Sequence, residues 1–82
     1  MFTAKIYITL SEGVLDPQGG AVMHSLHTMG YDTVQDVRIG KYMLVTVEAQ
    51  NQSEAAQMVD EMCAKLLANP VIEEYQFEFV GE

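Results

Sequence analysis

The chain has 82 residues, enough for one domain spanning 1–82 and no more. Apolar residues make up 49% of it, which suits a packed core and excludes a disordered chain. Twelve acidic residues against four basic ones leave a net charge of −8, a field that repels nucleic-acid phosphates and anionic membrane surfaces.

Cys63 is the one cysteine, so no internal disulfide is possible, which suits a reducing compartment. The opening MFTAKIYITL lacks the basic leader and long apolar stretch of a signal peptide. No apolar run approaches the roughly 20 residues of a membrane helix. A cytoplasmic protein is expected. A domain this small buries only about 60–65% of the surface of its unfolded chain, and self-association is a common remedy.

Lys5 to Leu10 alternates polar and apolar residues, with three β-branched side chains, and reads as a half-buried strand. Ser11-Glu12-Gly13 breaks it. Asp16 is placed to cap a helix, and Pro17 suits the first helical position because its missing N–H costs nothing there. Val22, Leu26 and Met29 recur at helical spacing, and Gly30 supplies a stop with positive φ, so the first helix is predicted over 17–29. Val34 to Ile39 reads as a second strand and Tyr42 to Glu48 as a third, with a hairpin turning at Ile39-Gly40-Lys41-Tyr42.

Asn51 and Glu54 form a capping-box-like start to the second helix. Its apolar stripe is Ala55, Met58, Met62 and Leu66, flanked by Val59 and Leu67. Asn69-Pro70 ends it. Val71 to Val80 is predicted as the last strand, with Val71, Tyr75, Phe77 and Phe79 on one face. The order βαββαβ predicts a ferredoxin-like α+β sandwich, a four-stranded antiparallel sheet with both helices on one face. The third strand, YMLVTV, is largely apolar on both faces, yet two helices cover only one. The other face or an edge is expected to pack against a second subunit.

No catalytic constellation emerges. His24 and His27 share a helix face, but no cysteine or third histidine completes a metal set, and they read as surface or interface residues. Cys63 falls among Val59, Leu66 and Leu67, where burial rather than nucleophilicity is expected. Met58 and Met62 read as core filler. Glu73-Glu74 and Asp60-Glu61 are neighbours whose side chains diverge, so neither pair makes an acid/base dyad. Gly19-Gly20 matches no nucleotide-binding motif; it could expose N–H groups to an anion or allow close backbone approach.

Arg38 and Lys41, half of all the cationic residues, flank Gly40. They suit either an exposed turn with an Asp36–Arg38 ion pair or a docking point for a partner. The residues alone describe a small module built to bind another protein. A ligand-sensing regulatory domain is the alternative, and it requires a pocket with converging polar groups.

The run Val14-Leu15-Asp16-Pro17-Gln18-Gly19, then Ala21-Val22, Leu26, Gly30-Tyr31 and VQDVRIGKY over 34–42, resembles the PurS family. So does Cys63 to Glu73, in the same register. The resemblance implies the small subunit of phosphoribosylformylglycinamidine (FGAM) synthase in de novo purine biosynthesis. It implies a chain without catalytic residues, cofactor or metal of its own, self-associated as a dimer or tetramer. Its expected partners are a large synthetase subunit (PurL type), which uses ATP and Mg, and a glutaminase subunit (PurQ type), which uses glutamine. Asp16, Gln18, Gly19, Arg38, Gly40, Lys41 and Tyr42 are the candidate subunit contacts, since the resemblance is strongest there.

Overall fold

In the computed structural model, which describes residues 1–80, alternation along the first strand places Ala4, Ile6 and Ile8 on one face, all buried. This strand, β1 (Phe2–Leu10), is the centre of a three-stranded sheet. It pairs antiparallel with β2 (Gly40–Val47), from Phe2 opposite Val47 to Thr9 opposite Gly40. On its other side it pairs antiparallel with β3 (Glu73–Phe79), from Ala4 opposite Phe79 to Leu10 opposite Glu73. The spatial order is β2-β1-β3.

Helix α1 (Pro17–Thr28) starts as its sequence dictates. Asp16 caps it by accepting from the Gly19 N–H, and Pro17 opens the first turn. Gly30, at φ 100°, follows the end, and the Tyr31 N–H closes back on the Leu26 carbonyl. Helix α2 (Gln52–Met62) is capped by Asn51, whose Oδ1 accepts from the Glu54 N–H at 2.8 Å. The returning Glu54 carboxylate meets the N–H of Gln50, one residue before the cap. The helix continues as a π-helical turn, Cys63–Leu67, and Ala68 is already extended, just ahead of Asn69-Pro70.

The core is formed by α2 and the turn after it against β1: Val59 and Cys63 pack with Ala4, Ile6 and Ile8, with Ala68 at the margin, and Ala55 is buried one turn earlier on α2. The expected stripe holds at Ala55, which is buried, but beyond it the buried line runs one residue later, through Val59 and Cys63. Met58 and Met62 are only half-buried and Leu66 is 82% exposed, because these three flank the contact with the sheet instead of forming it. Tyr75, Phe77 and Phe79 close the core from β3, and the Tyr75 hydroxyl donates to Asp60 at 2.8 Å, tying α2 to that strand. Strand β3 starts later than expected; Val71 is 84% exposed and belongs to the preceding turn.

The four-stranded closed sandwich is not what a single chain forms. Residues 34–39 pair with no strand, the hairpin at Gly40 does not close, and the chain runs through Gly40 directly into β2. Helix α1 does not cover the sheet; Gly19 is its one buried residue. Residues 17–39 thus form an arm, helix out and strand-like segment back, held together where His27 Nε2 meets the Val34 carbonyl at 2.9 Å. The chain measures 51 × 29 × 13 Å with a radius of gyration of 16.2 Å, against about 12 Å for a compact domain of this length. It exposes 5960 Å², about 1,000 Å² more than a compact monomer of 9.1 kDa would.

Because the core is one helix on three strands, each buried side chain carries a large share of it. Ile6→Ala is expected to destabilise the fold by about 3 kcal/mol, read as a lower midpoint in urea denaturation with an unchanged slope.

Candidate functional site

The sequence-predicted contact residues converge at the base of the arm, with one exception. Asp16 is the organising group. One carboxylate oxygen accepts from the Gly19 N–H at 2.8 Å and the other from the Ile39 N–H at 2.7 Å. One side chain thus caps α1 and fixes the segment that leads into β2. These two bonds, from Gly19 and then from Ile39, hold the Asp16 carboxyl below the usual carboxylate range, with further help from the Arg38 charge. Gly19 is required by proximity: a Cβ there would strike the Val37 carbonyl. Of the two readings of the glycine pair, close backbone approach is the one realised.

Gly40 is equally crowded, against the Ile8 carbonyl across the β1–β2 pair. The two cations on either side of it reach in different directions. Arg38 does not pair with Asp36, whose carboxylate instead accepts from the Val37 N–H. Its guanidinium donates to the Ser11 carbonyl at 3.2 Å, on the loop leaving β1. Lys41 Nζ lies 3.7 Å from Glu73 at the start of β3. Asp16, Gln18, Gly40, Lys41 and Glu73 surround a hollow of about 170 Å³. Tyr42 is the exception, on the open face of the sheet, where its ring lies 5.4 Å from that of Tyr7. There the Tyr7 hydroxyl donates to Glu78, which raises its pKa.

Two partners in this cluster carry no signal in the sequence. Ser11 contributes only its carbonyl, and Glu73 looks like one more surface carboxylate. A second feature was partly legible. Val45, Met58, Met62 and Leu66 line an open apolar groove of about 510 Å³ between α2 and β2. The stripe at 58, 62 and 66 was its trace. Glu61 and Lys65 on its rim lie 3.8 Å from each other as an ion pair, so they do not converge on the groove as a small-effector site requires.

The arrangement positions backbone and does not activate a nucleophile. Cys63 is fully buried, and burial pushes its thiol pKa up. The His27 ring is engaged by a backbone carbonyl. Among the described residues, no three His, Cys, Asp or Glu side chains form a metal-binding group, and no helix is long and apolar enough to cross a membrane.

The family model for PurS, described as phosphoribosylformylglycinamidine (FGAM) synthase, matches residues 3–81. The phosphoribosylformylglycinamidine synthase subunit PurS of Bacillus subtilis (strain 168) is 56% identical over 78 residues, covering 95% of this chain and 92% of that one. A structure of B. subtilis PurS matches with a TM-score of 0.86 at 54% identity, over 99% of this chain and 100% of that one. In a structure of PurLQS from Thermotoga maritima, the matching chain gives a TM-score of 0.89 at 33% identity, with 96% of each chain covered. Similarity of this degree extends to the arm, which is more than a quarter of the chain.

Two outcomes test the base of the arm. Gly19→Ala should cost about 1–3 kcal/mol by overpacking against Val37. Gly20→Ala, where a Cβ meets nothing within 4 Å, should stabilise by about 0.5–1 kcal/mol; urea denaturation of the pair separates them. Asp16→Asn replaces one acceptor oxygen with an N–H donor facing another N–H, so its thermal midpoint at neutral pH should fall by several degrees. Because the folded pKa of Asp16 is depressed, its contribution is complete above the ordinary carboxyl value of about 4 and is lost as pH falls through the folded value. The gap between wild type and Asp16→Asn should therefore narrow below about pH 4 in a pH series of melts.

Proposed function

The chain belongs to the PurS family, and we propose that it serves de novo purine biosynthesis in the cytoplasm as a single-domain, non-catalytic small subunit of FGAM synthase. The observation that carries this reading is the match through residues 3–81 in one register, at 56% identity to a named PurS subunit. On this reading its partners are a large synthetase, a glutaminase and further copies of itself, and the match to a chain in a structure of PurLQS supports it.

The division of labour follows from the residues present. Releasing ammonia from glutamine needs an activated nucleophile, and Cys63 is buried with a raised pKa. Activating the amide oxygen of the formylglycinamide substrate with ATP needs phosphate cradles and Mg-binding carboxylates, which the partner subunits supply. Ammonia then displaces the phosphate to give the amidine. At neutral pH most free ammonia is protonated and no longer nucleophilic, so its transfer between subunits depends on a contact that excludes water. The small subunit supports that junction.

The base of the arm is the surface we assign to the contact. Asp16, Gln18, Gly19, Gly40 and Lys41 are held in one rigid cluster, and Arg38 lies beside it. Tyr42 offers a separate aromatic contact on the open face.

Replacing Arg38 and Lys41 together by alanine should leave a self-associated small subunit, checked by light scattering. It should lower glutamine-dependent FGAM formation by the reconstituted three-subunit enzyme about tenfold, the scale of one interface hot spot. Normal assembly and an unchanged rate would reduce the two cations to a structural role.

A further inference from the structure

The sheet is covered by α2 on one face and open on the other. Strand alternation fixes what the open face carries. The register sets Tyr42, Tyr7 and Gln76 in one row across it, and Leu44, Lys5 and Glu78 in the next. Tyr42 is 56% and Leu44 60% exposed, where a solvated sheet face is ordinarily polar.

Three of these side chains form one group. The rings of Tyr7 and Tyr42 lie 5.4 Å apart, tilted by 34°. The Tyr7 hydroxyl donates to one oxygen of Glu78 at 3.1 Å, which fixes the carboxylate beside the rings. Among the described residues the other oxygen accepts no hydrogen bond. Lys5 stands opposite Glu78 in the register, yet the two form no ion pair among the described residues. The face thus offers an exposed aromatic surface with an anchored anionic oxygen next to it.

We propose that the Tyr7–Tyr42 pair and Glu78 receive an arginine side chain from a partner subunit, which rests on the reading of this chain as the small subunit of a larger enzyme. A guanidinium is flat, so it stacks on a tyrosine ring while its N–H fork reaches a carboxylate. A lysine ammonium is a compact, strongly hydrated point charge and gains less from the rings. An apolar partner would leave the second Glu78 oxygen buried without a donor, which is costly.

Charge agrees. The face carries Glu74 and Glu78 against Lys5 alone, in a chain of net charge −8, and so draws a cationic group. The arginine comes from a different protein. Arg38 is the one arginine in the sequence, and its guanidinium is held on the Ser11 carbonyl at the base of the arm. A second copy therefore brings no free arginine to this face. The site also gives a contact of its own to Tyr42, the candidate residue that stands apart from the others.

The test uses the reconstituted three-subunit complex and p-hydroxyphenylglyoxal, a reagent that modifies exposed arginines. With the wild-type chain, an arginine of a partner subunit should become protected on assembly, located by peptide mass spectrometry. Tyr42→Leu and Glu78→Gln should each weaken binding of the small subunit about tenfold. Each should also make that arginine reactive again in the complex that still forms at high concentration. Tyr42→Phe keeps the ring and should bind as the wild type does. Both positions are exposed, and Glu78→Gln keeps an acceptor for the Tyr7 hydroxyl, so the variants should fold, as thermal melts would verify. The arginine site is overturned if affinity survives both substitutions, or if no partner arginine is both protected by the wild type and released by the variants. The small-subunit reading stands in either case. A wild-type chain that joins neither partner overturns that reading and the site with it.

Discussion

The carboxylate of Asp16 holds two N–H groups that belong to different parts of the chain. One is the start of α1, the other the residue that leads into β2. Much else depends on that bridge. It brings the helix so close to residue 37 that only glycine fits at 19. It makes 17–39 one body with two legs. It also decides that whatever moves the helix moves the entry to β2 with it. A carboxylate accepting two backbone N–H bonds is stabilised in its charged form, so the bridge is at full strength near neutral pH.

Much of this was legible residue by residue. Asp16-Pro17, Gly30, Asn51 with Glu54, and Asn69-Pro70 are local signals, read by neighbours within a few positions, and each marks a boundary in the structure. Strands β1 and β3 were legible from alternation, and β2 from its apolar run. Gly40 was misread because a hairpin and a straight passage have the same local sequence. The straight passage goes with contacts between residues roughly thirty positions apart, the guanidinium of Arg38 on Ser11 and the close approach of Gly40 to Ile8. Helix α2 shows a second kind of ambiguity. Two adjacent stripes are apolar, 55-59-63 and 58-62-66, and periodicity cannot say which one the sheet will take. The seven candidate contacts converged apart from Tyr42, whose side chain the alternation of β2 sends to the opposite face.

The composition gains a second meaning from the shape. A net charge of −8 keeps copies apart in general, which makes the carboxylate-free stretch 17–28 conspicuous. Acidic side chains gather on β3, α2 and the loops, and α1 and β2 carry none. The open sheet face is mixed in the same way: Tyr7 and Tyr42 stack beside the Tyr7–Glu78 hydrogen bond, and Thr3 meets Thr46 at 2.9 Å.

Glu73 sits where two lines of force cross. One oxygen of its carboxylate accepts the N–H of Asn69, just past the π-helical turn, at 2.7 Å, and the other faces the Lys41 ammonium. Between the exposed tip of that turn at Leu66 and the pivot at Gly40 there are only a short stretch of backbone and this one side chain. Through its two oxygens this one carboxylate fastens the end of the helical layer to the first residues of β2.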